Sequence, residues 1–208
     1  IIASQSCETI MVFTDRVFCA KLSSEQMNAA TAGGISSFLL LTFFMGLIGF
    51  STAYVSQFYG AKQYKQCPVV TVQSFIISIL AYPIIILSLP LLYWYFTATG
   101  ISAEQMMYQK QYVSILVFGS VISLIRYSLS CYFSGIGKTK IVMVAALATM
   151  IINIGFNYIF IFGHYGFPAL GIRGAAYGTI LSAFVGVLIL LYFFFKSNHA
   201  KRFHVLEA

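Results

Sequence analysis

Two acidic residues, Glu8 and Asp15, lie in an otherwise apolar stretch near the start of the chain. Their separation is about two turns of an α-helix, so both carboxylates would project from nearly the same helix face. A charged carboxylate is unstable in hydrocarbon unless it binds a proton, a cation or a polar partner. The pair therefore indicates a site that takes up and releases a proton or a cation. The alternative is that these are helix-end charges whose side chains reach water.

Two amides later in the chain, Asn153 and Asn157, lie one helical turn apart and so share a helix face. Their oxygens could bind a cation or accept a hydrogen bond from a protonated acid. Alternatively, they hold neighbouring helices together, as polar side chains commonly do in membranes. Gly174 and Gly178 also have two interpretations. Their spacing allows two helices to pack closely, or it reflects only the high glycine frequency of membrane helices.

Other chemical motifs are incomplete. Residues 135–139, Gly-Ile-Gly-Lys-Thr, resemble the end of a phosphate-binding loop, but Tyr132 occupies the position of its first glycine and no strand precedes it. A tight turn is the better interpretation. The histidines lie outside the predicted spans and lack metal-ligand spacing (His164, His199 and His204). The sequence therefore predicts that this protein is not an enzyme.

The composition is that of a membrane protein. Only 8% of the 208 residues are charged, whereas 60% are hydrophobic and the mean hydropathy is +0.88. A soluble domain carries about 25% charged residues, so this chain must be surrounded mainly by lipid. The net charge of +7 comes from basic connectors and a basic tail, and no basic face with aromatic platforms indicates nucleic-acid binding. The scattered cysteines are typical of small packing residues (Cys7, Cys19, Cys67 and Cys131).

Long apolar runs predict six transmembrane helices, because a span needs about 20 apolar residues. The first span is truncated and ends near Cys19, and the third contains Pro83 and Pro90, which predict kinks. Arg126 interrupts the fourth, where its guanidinium would reach the interface or pair with an acid of the first span. Short connectors make neighbouring helices antiparallel. The predicted fold class is all-α, a polytopic six-helix transmembrane bundle, and the five later spans are 26–61, 66–103, 108–134, 141–172 and 174–195.

Basic residues predict how these spans are oriented. Positively charged connectors face the cytoplasm, and the more basic side contains Lys62, Lys65, Lys138, Lys140, Lys196, Lys201 and Arg202, against Lys21, Lys110 and Arg173 on the other side. Both ends of this multi-pass segment would then be cytoplasmic. We expect residues 1–196 to form a transmembrane lobe and residues 197–208 to form a basic cytoplasmic tail or inter-lobe linker.

Several blocks of the sequence resemble multidrug and toxic compound extrusion (MATE) transporters, in the order and at the predicted helices where that family has them. The blocks are Thr14-Asp15, residues 22–30, 55–62 and 132–140, and most specifically residues 152–163 and 166–179. The resemblance covers nearly the whole chain but only the first six helices of the family.

The resemblance implies one lobe of a transporter with twelve helices in two pseudo-symmetric lobes. Such proteins export organic, often cationic, small molecules across the plasma membrane, here the bacterial inner membrane, by antiport with H⁺ or Na⁺ and without a further cofactor. The coupling acid corresponds to Asp15 and its polar partners to Asn153, Asn157 and Thr179, and the same four residues would bind a Na⁺ ion. The carboxy-terminal lobe of the same protein would be the missing partner.

Three positions depart from the pattern of that family. Arg16 follows the acid where threonine is usual, Asn157 stands where some members carry an acid, and Glu8 replaces a residue that is often a neutral amide. Arg16 points about 100° away from Asp15 around the helix, so a direct contact between them is not expected. We hypothesise that Glu8 and Asp15 titrate as a pair, share one proton and together perform ion coupling.

Two alternatives keep the membrane bundle but change its role. A flippase for lipid-linked saccharides, from the same superfamily, would need a cavity rich in arginines to bind pyrophosphate, and the spans offer Arg16 and Arg126. A non-transporting membrane scaffold would show no ion-dependent flux and no effect of Asp15 substitutions.

Overall fold

The computed structural model describes residues 2–196, 200–201 and 203–205, and within these ranges the chain forms α-helices joined by short connectors. The helices are α1 (Ile2–Ala20), α2 (Ser24–Gly60), α3 (Gln66–Leu87), α4 (Leu89–Ala98), α5 (Ala103–Phe118), α6 (Ser120–Gly135), α7 (Thr139–Phe162) and α8 (Ile172–Phe195).

Within the described residues, four helical stretches, or five with one bent pair, are long and apolar enough to cross a membrane, against the six predicted spans. Helix α2, α3 together with α4, α7 and α8 each qualify as a span by length and hydropathy, and α5 with α6 can form one more, bent span. Large apolar side chains such as Phe38, Leu39 and Leu87 are exposed on the bundle surface, as expected where lipid replaces water. Helix α1 carries Glu8 and Asp15 and is not among these spans. The predicted all-α membrane bundle is confirmed.

Local signals explain where several helices begin and end. Ser23 caps α2, since its hydroxyl accepts a hydrogen bond from the backbone N–H of Gln26 at 3.1 Å. Ser102 caps α5 in the same way, through the N–H of Gln105 at 3.2 Å. Helix α7 ends at Gly163, whose φ of 75° lies in the left-handed region that glycine adopts without strain. These caps limit the helices at the end of the bundle where α1 ends and α8 begins.

The predicted span 66–103 is divided at Ser88. Pro83 lies inside α3 without ending it, whereas Pro90 falls in the first turn of α4, where a missing N–H removes no intrahelical hydrogen bond. The Ser88 hydroxyl donates to a carbonyl of the preceding turn at 2.6 Å and so satisfies part of the interrupted ladder. The two helices still form one apolar span of 33 residues, Gln66–Ala98, as expected.

The predicted span 108–134 is not one straight helix, because the chain bends by 49° between α5 and α6. In a regular helix the backbone N–H of Ile122 would donate to the Phe118 carbonyl, but here it donates to the Gly119 carbonyl. The Phe118 carbonyl accepts a hydrogen bond from the Tyr82 hydroxyl at 3.2 Å, which compensates for the lost bond. Glycine at position 119 allows this packing, since a Cβ atom there would overlap the Ile180 side chain of α8, which would have to shift. The apolar runs of the sequence predict neither this bend nor the hydrogen bond from Tyr82 that compensates for it.

Contacts between connectors define one end of the bundle. The backbone N–H of Ile172 donates to the Gln26 side chain at 3.1 Å, which ties the start of α8 to the start of α2. Arg173 donates through Nε to the side-chain oxygen of Gln111 at 2.9 Å. The side of the membrane that this end faces stays a prediction.

The opposite end holds part of the predicted tail. Phe203 is 1% exposed and packs against Tyr59, Tyr64 and Tyr132, with ring centroids 6.1, 5.6 and 6.2 Å away. This part of the tail is therefore docked on the connector between α2 and α3 and on the end of α6. The predicted boundary at residue 196 stays a prediction, and residues 197–199, 202 and 206–208 of that tail lie outside the described residues.

Small residues allow the helices to pack closely. A Cβ atom at Gly174 of α8 would lie 2.6 Å from the carbonyl carbon and oxygen of Phe160 in α7, so the two backbones are in direct contact. The glycine pattern of α8 is therefore a packing feature. Cys19 and Cys67 are fully buried among other helices, and all four cysteines are buried and unpaired, as the sequence predicts.

Candidate functional site

Asp15 lies at the centre of a polar cluster that joins three helices. Only 5% of the residue is exposed, although it belongs to the apolar bundle. The Asn157 amide of α7 donates a hydrogen bond to Oδ1, and the Thr179 hydroxyl of α8 lies 3.3 Å from Oδ2. Asn153 completes the cluster, since its Oδ1 accepts a hydrogen bond from Asn157 at 3.1 Å and its amide lies 3.4 Å from Thr179. The structure thus brings together four of the five predicted site residues.

The cluster lies nearer to one end of the bundle than to the other. Asp15 and Asn157 each precede the end of their helix by five residues, and Thr179 follows the start of α8 by seven. At 1.5 Å per residue these offsets correspond to depths of roughly 8–10 Å. The cluster therefore lies within about two helical turns of the end where α1 and α7 end and α8 begins.

The Thr179 hydroxyl has one proton and two acceptors within reach. Its oxygen lies 3.0 Å from the Ala175 carbonyl and 3.3 Å from Asp15 Oδ2. When Asp15 is charged, the hydroxyl can donate to the carboxylate. When Asp15 is protonated, the acid can donate to the Thr179 oxygen while the hydroxyl donates to Ala175. Rotation of one hydroxyl therefore keeps a hydrogen bond between Thr179 and Asp15 in both states of the acid.

The side chain of Asn157 occupies space that Gly178 of α8 leaves free. It is fully buried, and its amide nitrogen donates to both Asp15 and Asn153. Its Oδ1 lies against Gly178, where a Cβ atom would overlap it, and has no hydrogen-bond partner among the described residues. A buried unpaired oxygen costs about 1–3 kcal/mol. A bound ion or a turned amide would give this oxygen a contact.

A cavity of about 380 Å³ opens beside Asp15. Its walls come from α1, α2, α5, α6 and α8 and are mostly apolar, with Asp15 and Arg16 as the charged residues of the lining. Its volume lies within the range of about 300–1,000 Å³ that is common for small-molecule sites. The cluster therefore adjoins a space in which an organic molecule could bind.

Glu8 does not join this cluster, and the expected pairing with Asp15 needs correction. Glu8 Oε1 lies 2.8 Å from Arg126 Nη2 of α6, and both residues line a separate cavity of about 240 Å³. The two acids are separated by about 10 Å along α1, and each has its own partner. The hypothesis that they share a proton has no contact to support it, whereas the expected alternative, Arg126 paired with an acid of the first span, is confirmed.

Comparison with known proteins identifies the family. A model of the MatE family matches residues 1–159, which is most of the chain. The chain belongs to the MatE family. It is 27% identical over 209 residues to the probable multidrug resistance protein NorM of Bacillus licheniformis, covering 99% of this chain and 46% of that protein. It is 42% identical over 87 residues to the NorM of Thermotoga maritima, covering 42% of this chain and 19% of that protein.

The fold of this MatE chain also matches solved transporter structures. The outward-facing conformation of a multidrug resistance MATE family transporter of the MOP superfamily superposes with a TM-score of 0.80 at 24% identity, covering 95% of this chain and 43% of that one. At this identity the likeness shows the fold alone. The chain spans about half the length of the Bacillus licheniformis relative, as expected for one lobe of a two-lobe transporter.

Sequence reasoning about this MatE chain missed three residues of the site. Tyr112 of α5 and Ser37 of α2 are each 4% exposed and line the cavity beside Asp15. The Ser37 hydroxyl is buried without a hydrogen-bond partner among the described residues. Gly178 was noticed for helix packing but not for its contact with Asn157. Only the glycine spacing carried a signal, since isolated Ser and Tyr residues are common in membrane spans.

Proposed function

We propose that this chain is the amino-terminal lobe of an exporter of small organic molecules that is driven by antiport with H⁺ or Na⁺. The observation that carries the proposal is the buried carboxylate of Asp15, held by Asn157 and Thr179 on two other helices. An ionisable group inside a membrane bundle is a functional site by default. The names of the relatives, multidrug resistance proteins, support export of organic compounds.

In this proposal the charge on Asp15 controls the packing of α1, α7 and α8. A charged carboxylate attracts the Asn157 amide and the Thr179 hydroxyl more strongly than a neutral acid does, because charge-assisted hydrogen bonds are the stronger ones. Uptake of the ion weakens this attraction and changes the relative stability of the outward-facing and inward-facing forms. The ion thereby biases a two-state equilibrium that moves the substrate.

The arrangement of donors favours a proton as the coupling ion. The Asn157 amide and the Thr179 hydroxyl direct N–H and O–H groups at Asp15, and a metal cation would be repelled by these groups. Na⁺ bound by Asp15, Asn153, Asn157 and Thr179 would require the Asn157 amide to turn until its unpaired Oδ1 faces the ion. A proton requires only the hydroxyl rotation at Thr179. Na⁺ is the alternative in this proposal.

The substrate site is the cavity beside Asp15, completed by a second lobe. Alternating access needs two lobes that move against each other around a central site, and residues 1–196 supply one. The basic connectors support a cytoplasmic position for both ends of this segment, in a protein of the plasma membrane, here proposed to be the bacterial inner membrane. The family resemblance implies organic, often cationic, substrates for this site.

The two alternative roles have less support. A flippase for pyrophosphate-linked lipids would use several arginines in one cavity, but Arg16 and Arg126 line different cavities and Arg126 is paired with Glu8. A non-transporting scaffold leaves the hydrogen-bonded acid of α1 without a role.

The proposal is tested with the full-length protein in proteoliposomes loaded with a fluorescent organic dye. An imposed proton or sodium gradient should drive dye movement by the wild type, and Asp15→Asn should reduce it to near background. Glu104→Gln is the matched control, because Glu104 is an exposed acid in the first turn of α5. Ion-driven transport that survives intact in Asp15→Asn would refute the role of Asp15, and a wild type with no ion-driven flux would favour the scaffold.

A further inference from the structure

Arg16 places a positive charge in the wall of the cavity beside Asp15. It follows Asp15 in α1, but the two side chains have different surroundings. Asp15 faces Asn157 and Thr179, whereas Arg16 lines the cavity together with residues of α2, α5 and α6. The lining is otherwise apolar or neutral, apart from Asp15 itself. Arg16 is therefore the one cationic residue among the described residues that line this cavity.

The Asp15 carboxylate acts on this guanidinium through space but makes no direct contact with it. The chain forms no ion pair or hydrogen bond with Arg16 in the parts that the structure describes, and Asp15 is directed at its own donors. Arg126 is the contrasting case, because its guanidinium is paired with Glu8 at 2.8 Å. An arginine within a membrane bundle is costly unless it has an anionic partner or water. Arg126 has such a partner in Glu8, whereas Arg16 has no direct anionic contact among the described residues.

We propose that the Arg16 guanidinium binds an acidic group of the transported molecule, so that this transporter selects substrates that carry a carboxylate. The inference rests on the proposed function and narrows its substrate class. A guanidinium and a carboxylate form two parallel N–H···O bonds, which give both strength and orientation. The apolar walls accept the rest of the molecule.

The charges of Asp15 and Arg16 determine how the ion and such a substrate affect each other. With Asp15 charged, the two lining charges cancel, and with Asp15 neutral the cavity is left positive. An acidic group is therefore bound more tightly when Asp15 has taken up its proton, whereas a purely cationic molecule is bound less tightly. By charge alone, proton uptake and binding of the acidic substrate therefore strengthen each other. Antiport of such a substrate requires that the outward-facing and inward-facing forms differ in their affinities for the proton and for the substrate.

The test compares two dyes that differ in one charge. One is a xanthene dye with a free carboxylate, and the other is the methyl ester of the same dye, which is cationic and nearly identical in shape. Binding of each to the full-length protein in lipid nanodiscs is followed by fluorescence anisotropy. The wild type should prefer the acid, and Arg16→Gln should weaken acid binding about tenfold, the size expected for loss of one charge-assisted contact. Arg16→Gln should leave ester binding unchanged or stronger.

Matched variants make the result specific. Arg16→Lys should retain most of the preference, since it keeps the charge. Arg126→Gln should not alter the ratio of the two affinities, because Arg126 lines the other cavity. Asp15→Asn should strengthen acid binding and weaken ester binding. The inference is wrong if Arg16→Gln weakens both dyes alike, if the wild type prefers the ester, or if neither dye binds. Loss of ion-driven flux in Asp15→Asn would still support the proposed function in each of these cases.

Discussion

Glu8 of α1 and Arg126 of α6 form an ion pair with a separation of 2.8 Å, and the two residues differ sharply in exposure. The Arg126 side chain is 19% exposed and that of Glu8 is 53% exposed. Arg126 also has a buried Nε atom without a hydrogen-bond partner among the described residues. The arginine is therefore the member of the pair that needs compensation. This contact connects the first predicted span to the fourth and favours a structural role for Glu8.

Glu8→Gln should lower stability without abolishing ion-driven transport. Because Glu8 is largely exposed, the cost should be about 1 kcal/mol, which corresponds to a thermal midpoint about 2–4 °C lower. Fluorescence-detected thermal unfolding in detergent measures this shift. Charge reversal by Glu8→Arg combined with Arg126→Glu should recover most of the stability that either single reversal loses. Loss of transport by a well-folded Glu8→Gln protein would instead restore the hypothesis of two coupled acids.

Asn157→Leu should impair ion-driven transport more than Asn153→Leu. Leucine has a similar volume but no donor, so Asp15 Oδ1 and Asn153 Oδ1 both lose the hydrogen bond that Asn157 provides. A bond to a charged group is worth about 1.5–3 kcal/mol, so a fall of about tenfold or more is expected. Asn153→Leu removes no direct contact with Asp15. Initial rates in proteoliposomes, normalised to folded protein, compare the two, and equal losses would contradict the special role of Asn157.

The sequence was sufficient to find three members of the polar cluster because each of them stands out from an apolar background. Asp15 is an acid in a predicted span, and Asn153 and Asn157 share a helix face. Thr179, by contrast, came from the family resemblance, since one threonine in a membrane helix carries little information. The distances among α1, α7 and α8 could not be predicted, because they depend on how closely glycines such as Gly178 allow two backbones to approach.

The bend at Gly119 and the partner of Glu8 illustrate what a sequence pattern leaves open. Hydropathy measures how apolar a run is, and a run stays apolar whether its helix is straight or bent by 49°. Helical spacing places Glu8 and Asp15 on one face, but it contains no information about which neighbouring helix supplies an opposite charge. Arg126 was one of two expected outcomes, and only the packing of α1 against α6 decides between them.

Tyr82→Phe should destabilise the bend between α5 and α6. The Tyr82 hydroxyl donates to the Phe118 carbonyl at 3.2 Å, and this carbonyl has lost its usual helical partner. Without the hydroxyl, the polar group would face lipid or apolar side chains, which should cost about 1 kcal/mol. Thermal unfolding in detergent measures the loss. Tyr95→Phe is the control, since Tyr95 is an exposed aromatic residue and its substitution should change stability by less than about 0.5 kcal/mol. Equal stability of both variants would contradict the role of Tyr82.

Gly178→Ala should disable the site although no polar residue is substituted. The new methyl group would overlap Oδ1 of Asn157, so the amide must move away from Asp15, and overpacking of this kind costs about 1–3 kcal/mol. Ion-driven transport should fall with it. Gly155→Ala is the matched control, because a Cβ atom there meets nothing within 4 Å and the change should stabilise α7 by about 0.5–1 kcal/mol. Transport rate and thermal midpoint are measured together for both variants. Full transport by Gly178→Ala would show that ion coupling does not depend on where α8 holds the Asn157 amide.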